Sequence, residues 1–453
     1  AGYAAPRGRL LINLAPADVR KEGPVYDLPI AVGVLAVQGV VPMREGEGLD
    51  LRRHLFAGEL ALDGRLRPIR GSIAIAALAR SEGAEGVILP AQNAEEAAVV
   101  EGVNVYAVST LTELVGLLTG ELDAMPLPTP DVASRLRQAE PEIDFSDVKG
   151  QEAVKRAIVV AAAGMHNLVM LGPAGTGKTM MAKALPGVLP TLTPDEAVEI
   201  TRIHSAAGVL PPGKGLVDAR PVRSPHHTAS SAAVVGGGVI PRPGEISLAH
   251  GGVLFLDELP EFPRTVLETL RQPLEDHVVT IARSQATVRF PANFMLVAAM
   301  NPTPRGDIDP GEVGQRAMER YLARLSGPLL DRIDLHVEAP AVPWKRLRQP
   351  ATGQSTAEMR EQAEAARARQ RERQGATPNS RLSGRKLDKI APLEPRAEAV
   401  LGQAMSELKL SARAYDKIRR VSRTIADLEG AEAIAESHVS EAVQYRLLDR
   451  MIG

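Results

Sequence analysis

The residues best suited to chemistry form one glycine-rich loop after the apolar run 167–171: Gly172, Pro173, Ala174, Gly175, Thr176, Gly177, Lys178 and Thr179. They fit the pattern G-x-x-x-x-G-K-[ST]. In such a loop backbone N–H groups bind the β- and γ-phosphates of a nucleotide, the lysine adds a positive charge, and the threonine hydroxyl binds Mg²⁺. A chance glycine turn beside a lysine does not account for the strand, loop and helix context. The pattern therefore predicts a buried strand, a phosphate-binding loop and a helix that begins near Met180.

Two carboxylates follow a second apolar run, 252–256. Beside a phosphate loop, Asp257 would hold Mg²⁺ through water, and Glu258 would polarise an attacking water. The alternative is a buried strand that ends in acidic residues without chemistry. The preceding phosphate loop disfavours that alternative.

A third apolar run, 294–300, ends at Asn301. An amide at this point could orient the attacking water or sense the γ-phosphate, or it could simply open a turn before Pro302. Residues 276–290 lie between the two strands and alternate in polarity around a polar tip, which predicts a β-hairpin. Arg283 at the tip is a candidate contact to a phosphate backbone, although a surface arginine is the default interpretation.

Arg332 lies at a predicted junction between a helix and a strand. An arginine delivered from a neighbouring subunit would stabilise charge on the γ-phosphate in the transition state. The alternative is a local salt bridge with Asp331 or Asp334. The residues alone leave both interpretations open.

Strands and helices alternate in the first 120 residues, which indicates an α/β or α+β layer. We predict strands at 10–14, 86–90 and 103–108, a hairpin at 59–69, and helices at 27–37, 72–82, 94–101 and 110–118. A proline-rich connector at 125–141 follows. The helix at 356–374 has little apolar stripe and is interpreted as a solvated connector. The predicted boundaries are 1–122, a linker 123–143, a core 144–345, a charged connector 346–382 and a helical lid 383–453.

Composition excludes several classes of function. The 453 residues carry a formal net charge of −2 and no cysteine, so disulfides, thiol nucleophiles and cysteine zinc sites are absent. We expect a reducing, cytoplasmic location and no membrane span. The chain begins without Met, which we interpret as a fragment that opens inside a domain. His226 and His227 invite a metal site, but adjacent histidines do not share a face and no third ligand follows at useful spacing.

Five stretches carry a resemblance to a known family: 13–24, 224–228, 241–250, 256–262 and 326–334. Over essentially the whole chain the sequence resembles the ComM/YifB family of competence-associated proteins, which are AAA+ ATPases of the magnesium-chelatase-like clade. The resemblance implies an α/β fold: an AAA+ P-loop core with a parallel sheet, a helical lid, and an N-terminal Lon-protease-like α+β domain, here incomplete. It also implies ring-shaped homohexamers that hydrolyse Mg·ATP between subunits.

The resemblance assigns a role to each candidate residue. Lys178 and Thr179 would be the Walker A pair, Asp257 and Glu258 the Walker B pair, Asn301 sensor 1, Arg332 an arginine finger in trans and Arg413 the sensor 2 arginine, with Val148 to Gln151 bordering the adenine. Residues 197–245 resemble the helix-2 insert of this clade.

The front domain departs from a Lon-type protease. That chemistry needs a serine and a lysine, where this chain has Val25 and about Ile73, so we predict no peptidase activity. About sixty initial residues expected for the family are absent. The cysteines usual after sensor 1 are also missing from 300–307, which leaves the DNA activity less defined.

Three functions follow. The first is a hexameric DNA motor that drives branch migration during natural transformation and homologous recombination, with single-stranded or branched DNA as its partner. The second is a chelatase motor that drives Mg²⁺ insertion into a porphyrin. The third is an ATP-dependent scaffold without translocation. A Lon-like front domain is not expected in a chelatase motor and favours the first.

Overall fold

The computed structural model divides the chain into two compact units. It describes residues 2–4, 6, 8–14, 23–43, 48–137, 143–211, 213–238, 241–282, 287–303, 321–322, 324–343, 353–446 and 448. The first unit comprises 1–137 with 193–218, and the second comprises 138–192 with 219–453. Along the chain the first unit is left after residue 137, and residues 193–218 belong to the first unit although they lie between two parts of the second.

A three-stranded parallel sheet in the order β1-β4-β5 forms the centre of the first unit. Its elements confirm the predicted alternation: α1 (Asp27–Val37), β1 (His54–Phe56), β2 (Glu59–Leu60), β3 (Leu66–Arg67), α2 (Ser72–Ser81), β4 (Gly86–Pro90), α3 (Ala91–Ala97), β5 (Asn104–Val108), α4 (Leu111–Thr119) and α5 (Val132–Arg137). The β2–β3 hairpin is antiparallel and turns at Asp63 and Gly64, where Gly64 has φ 84°. The positive φ explains the glycine at this turn.

The strand predicted at 10–14 is wrong. These residues form no strand, and Leu11 is 93% exposed. A run of apolar residues becomes a strand only when a neighbour supplies backbone hydrogen bonds. None of the described strands pairs with this run.

The stretch 197–245, predicted to be one insert, is divided among three parts of the fold. Helix α8 (Pro194–Ala207) begins with a capping box between Thr193 and Glu196 and belongs to the first unit. There Ser205 Oγ accepts from Gly71 N at 2.9 Å. Further along, β7 (Val222–Arg223) is an edge strand of the second unit's main sheet, and β8 (Gly236–Gly237) pairs with β9 (Arg242–Pro243) as a short hairpin.

Five parallel strands form the main sheet of the second unit in the order β14-β6-β13-β10-β7. They are β6 (Leu168–Leu171), β7, β10 (Val253–Leu256), β13 (Met295–Met300) and β14 (Leu335–Glu338). Along β10, Val253 and Phe255 enter one hydrophobic core and Leu254 and Leu256 enter another. Burial on both faces explains why these strands are continuous apolar runs.

The remaining elements surround this sheet. They are α6 (Glu152–Gly164), α7 (Lys178–Ala184), α9 (Ser231–Val235), α10 (Glu245–Leu248), α11 (Arg264–Thr269), α12 (Arg271–Asp276), the β11 (Val278–Ala282) and β12 (Thr287–Pro291) hairpin, α13 (Gly327–Leu330), α14 (Thr356–Gln374), α15 (Gly384–Ile390), α16 (Pro395–Glu407), α17 (Ala412–Glu429) and α18 (Glu436–Gln444). The hairpin confirms the alternation seen in the sequence. Arg283 lies outside the described residues.

Helix α14 is not the solvated connector that its composition suggests. Thr356, Met359, Ala363, Ala366 and Gln370 are buried along one side, where α14 packs against α6 and α17. Their spacing of three and four residues is that of one helix face. The sequence does not reveal this buried stripe because alanines and a glutamine supply most of it. The small alanine side chains allow the helices to approach closely.

Candidate functional site

The candidate site lies where three neighbouring strands of the main sheet end. β13 pairs with β6 on one side and with β10 on the other, all in parallel. The carboxyl ends of parallel strands lie along one edge of a sheet, where ligands bind in open α/β folds. The phosphate loop after β6, Asn301 after β13 and Asp257 after β10 therefore converge, although 78 residues of chain separate Thr179 from Asp257 and 123 separate Lys178 from Asn301.

The phosphate loop has the backbone that its glycines permit. Gly175 and Gly177 have φ 79° and 85°, and an added Cβ at Gly175 would meet open space. A Cβ on Gly172 would lie 2.1 Å from the backbone oxygen of Ala339. Helix α7 begins at Lys178, two residues before the predicted start. The loop thus presents its backbone to open space at the N-terminus of a helix, as an anion site requires.

Lys178 is held at the centre of the site. Its Nζ donates to the backbone oxygens of Gly172 and Pro173, each at 2.7 Å, and to Asn301 Oδ1 at 3.1 Å. Burial lowers the pKa of the Lys178 ammonium, an effect that the charge of Asp257 opposes. Asn301 therefore does more than open a turn, because it binds the lysine directly.

The two carboxylates differ in their surroundings. Asp257 Oδ2 accepts from Thr179 Oγ1 at 2.7 Å, and Asp257 Oδ1 accepts from the backbone N–H of Glu258 at 3.0 Å. Glu258 has φ 53° and a half-exposed side chain. Its Oε2 lies 3.3 Å from Nδ1 of His227. Sequence reasoning considered His227 only as a metal ligand and missed this contact, because the pairing of β7 with β10 creates it.

Of the residues expected near the adenine, Gln151 contacts the phosphate loop. Gln151 has φ 62° and begins α6. Its Nε2 donates to Thr176 O at 3.2 Å and to Pro340 O at 2.7 Å. Val148 is buried, and Met180 is 37% exposed on α7. Gln151 thus couples the start of α6 to the loop.

Arg332 makes neither of the salt bridges considered from the sequence. Its guanidinium contacts Glu275 and the backbone oxygen of Pro328, while Asp334 pairs with His166 at 3.1 Å. Burial alone would raise the pKa of Asp334, but the hydrogen bond and charge of His166 outweigh it and hold that pKa well below its usual range. Within the part of the chain that the structure describes, Nε of Arg332 is buried without a hydrogen-bond partner.

Arg413 pairs with the residue that precedes Arg332 in the sequence. Its Nη1 is 2.9 Å from Oδ2 of Asp331, the residue before Arg332, and 72% of its side chain is exposed. The structure therefore brings Lys178, Thr179, Asp257 and Asn301 together through direct contacts. It places Arg332 and Arg413 in a second group that pairs with acidic residues.

The donor set fits a hydrated Mg²⁺ bound to phosphates. Thr179 and Asp257 offer a hydroxyl and a carboxylate within 2.7 Å of each other, and oxygen ligands are those that Mg²⁺ prefers. Among the described residues no group of three or more His, Cys, Asp or Glu side chains is placed to hold a metal. No helix among those residues is long and apolar enough to cross a membrane.

Three family models match the chain. The model described as magnesium chelatase, subunit ChlI, matches 144–347, its C-terminal counterpart matches 353–446, and one described as subunit ChlI of Mg-chelatase matches 1–93. The first two matches lie mainly in the second unit, and the third covers the first 93 residues of the first unit. The second unit is accordingly a magnesium-chelatase-type AAA+ domain, and the chain is of the α/β class with a helical C-terminal region.

Individual relatives extend over the same range. Competence protein ComM of Haemophilus influenzae is 43% identical over 100% of this chain and 88% of its own length. YifB of Escherichia coli is 42% identical over 100% of this chain and 87% of its own length. The 38 kDa magnesium-chelatase subunit of Rhodobacter capsulatus is 27% identical over 44% of this chain and 57% of its own length. On this evidence the chain belongs to the ComM/YifB family of magnesium-chelatase-like AAA+ proteins.

Proposed function

We propose that this protein hydrolyses ATP and uses the energy to move along DNA. The observation that carries the ATPase proposal is the direct contact network of Lys178, Thr179, Asp257 and Asn301 at one sheet edge. These residue types and this strand-end placement match what phosphoryl transfer needs: a cationic cradle, oxygen ligands for Mg²⁺ and a polar group that positions water.

Each residue has a role in this proposal. The loop 172–179 and Lys178 bind the phosphates, and Thr179 with Asp257 holds Mg²⁺, which neutralises charge on the β- and γ-phosphates. Glu258 orients and polarises the attacking water, and Asn301 positions that water relative to the γ-phosphate. Val148, Gln151 and Met180 border the nucleotide beyond the phosphates.

We further propose that the site is completed by a neighbouring subunit in a homohexameric ring. Arg332 and Arg413 contact Glu275 and Asp331 and not the phosphate-loop group. Among the described residues, the buried Nε of Arg332 has no hydrogen-bond acceptor. A guanidinium supplied in trans to the γ-phosphate would use that donor and accelerate turnover.

The proposed DNA contact is the β11–β12 hairpin. Arg289 on β12 is exposed and alternates with the half-buried Val288 and Phe290. Several copies of this arginine around a ring would form a basic band facing the phosphates of one strand. A relative over the whole chain bears the name competence protein, so we place the motor in branch migration during natural transformation and recombination, in the cytoplasm.

Two other functions are alternatives to the DNA motor. A chelatase motor is favoured by the family models, whose descriptions all name the chelatase subunit. The chelatase relative, however, aligns over 44% of the chain, whereas ComM aligns over 100%. A scaffold that binds ATP without translocation shares the same motifs.

One experiment separates these functions. ATP turnover is measured at low salt without DNA, with single-stranded DNA and with a branched duplex, together with strand displacement on the branched duplex. We expect DNA to stimulate ATP turnover. Lys178→Ala and Glu258→Gln should each lower ATP turnover by about 100-fold or more. Turnover unaffected by either DNA would contradict the DNA motor, and stimulated turnover without strand displacement would support the scaffold.

A matched pair of variants tests the hairpin. Arg289→Ala should weaken DNA binding and make it less dependent on salt, because each lost phosphate contact lowers the salt slope by about 1. Arg396 is also exposed, on lid helix α16, and Arg396→Ala should leave both quantities unchanged.

A further inference from the structure

Side chains from other parts of the second unit fix the backbone on either side of Arg332. Nζ of Lys417 donates to the backbone oxygens of Leu330 at 3.5 Å and of Ile333 at 3.1 Å. Nδ2 of Asn167 donates to the backbone oxygen of Arg332 itself at 2.8 Å. The proposed ATPase mechanism uses neither Lys417 nor Asn167. Both side chains nevertheless determine where the chain that carries Arg332 lies.

Lys417 belongs to helix α17 and shares a face of that helix with Arg413. The two residues are four positions apart, which places their side chains next to each other. Arg413 pairs with the carboxylate of Asp331, while Lys417 binds backbone carbonyls before and after that residue. One face of α17 therefore holds the chain both before and after Arg332.

Burial makes the contacts of Lys417 difficult to exchange. Lys417 is 3% exposed, and a buried ammonium requires hydrogen-bond acceptors. Its acceptors lie at the end of α13, where the last carbonyls have no partner within the helix and carry partial negative charge. Arg446, which is 2% exposed, also donates to the backbone oxygen of Ile333, at 3.0 Å. The segment that carries Arg332 therefore cannot shift without breaking hydrogen bonds to two buried cations.

We infer that Lys417 is a positioning residue for Arg332 and sets the place from which the guanidinium reaches the nucleotide of a neighbouring subunit. The inference rests on the proposed function, in which Arg332 acts in trans. An arginine stabilises a transferring phosphate only from the correct position, and a displacement of about 1 Å can cost about 100-fold in rate. The carbonyls that Lys417 binds belong to the arginine segment, so the loss of Lys417 should impair the neighbour's site.

The test measures ATP turnover by mixtures of two variants of the full chain. Lys417→Met keeps the length of the side chain and removes its donors, so alone it should lower kcat about 10- to 100-fold and leave KM for ATP unchanged. Turnover should recover in a mixture with Lys178→Ala, whose correctly placed Arg332 then meets the intact phosphate loop of Lys417→Met. In a mixture with Arg332→Ala turnover should stay low, because every subunit then lacks a correctly placed arginine.

Two further variants separate positioning from a loss of structure. Lys386 is exposed on lid helix α15, and Lys386→Met should leave kcat and KM unchanged. Asn167→Asp keeps an oxygen that accepts from Leu296 N but loses the donor to Arg332 O. It should recover in the same mixture as Lys417→Met, and it provides the test if Lys417→Met does not fold. If neither variant folds, both side chains serve the structure alone and the inference is wrong.

The mixtures also show which proposal fails. The inference is wrong, and the ATPase stands, if Lys417→Met keeps normal turnover, recovers with Arg332→Ala or fails to recover with Lys178→Ala. If a mixture of Arg332→Ala and Lys178→Ala does not recover, Arg332 does not act in trans and the positioning role is wrong as well. If wild type does not hydrolyse ATP, the proposed function fails and the inference fails with it.

Discussion

The phosphate-loop group and the arginine group differ in how this single chain holds them. Lys178, Thr179, Asp257 and Asn301 contact one another and need no further element to come together. Arg332 and Arg413 are held by carboxylates that a nucleotide would have to replace, those of Glu275 and Asp331. Strand order therefore brings the phosphate-loop group together, whereas ion pairs hold the two arginines away from that group.

The two arginines also differ from each other. Arg413 has 72% of its side chain exposed and Arg332 has 17%. An exposed ion pair contributes about 0–1 kcal/mol and exchanges partners readily. We therefore expect Arg413 to respond to a neighbouring nucleotide without rearrangement, whereas Arg332 requires Glu275 to move.

The largest expected effect comes from removing Arg332. Arg332→Ala should assemble and bind ATP, yet lose about 10³- to 10⁵-fold in turnover, because the charge on the transferring phosphate is no longer stabilised. Mixing Arg332→Ala with Lys178→Ala subunits should restore part of the turnover, since some interfaces then combine an intact lysine with an intact arginine. Normal turnover by Arg332→Ala alone would contradict the trans assignment.

A smaller effect should follow from deforming the phosphate-loop group. Gly172→Ala places a Cβ 2.1 Å from the Ala339 oxygen, and such overpacking costs about 1–3 kcal/mol. Nucleotide affinity, measured by calorimetry, should fall about 5- to 150-fold. Gly33→Ala is a control, since a Cβ at Gly33 meets nothing within 4 Å; equal affinities for the two variants would show that the loop tolerates displacement.

The smallest effect should come from releasing Arg332. Glu275→Gln removes the charge that holds the guanidinium and should raise turnover of the assembled protein by at most about fivefold, the equivalent of an ion pair whose carboxylate is exposed. The matched variant Glu268→Gln removes a partner of Arg271 on the neighbouring helix and should leave turnover unchanged. A decrease in Glu275→Gln would mean that Glu275 positions Arg332 productively.

The sequence by itself determined the elements whose signals are local. The phosphate loop, the acidic end of β10, the β2–β3 and β11–β12 hairpins and the helical C-terminal region are all encoded within short stretches. A glycine pattern or an alternation of polarity acts through the conformations of neighbouring residues, and distant parts of the chain do not change it. The resemblance to the family rested on five short stretches, of which only 256–262 overlaps these elements, and relatives that align over the whole chain confirm it.

Only the tertiary structure decided which residues meet. The order of parallel strands places Asn301 against Lys178 and His227 against Glu258. The packing of helices outside the sheet pairs Arg332 with Glu275 instead of Asp331 or Asp334. The same holds for α14, whose alanine stripe is buried because α6 and α17 cover it, and for residues 10–14, with which no strand of the described structure pairs. Which residues contact each other depends on long-range packing, because the sequence position of a charged residue or an apolar helix face does not specify what it packs against.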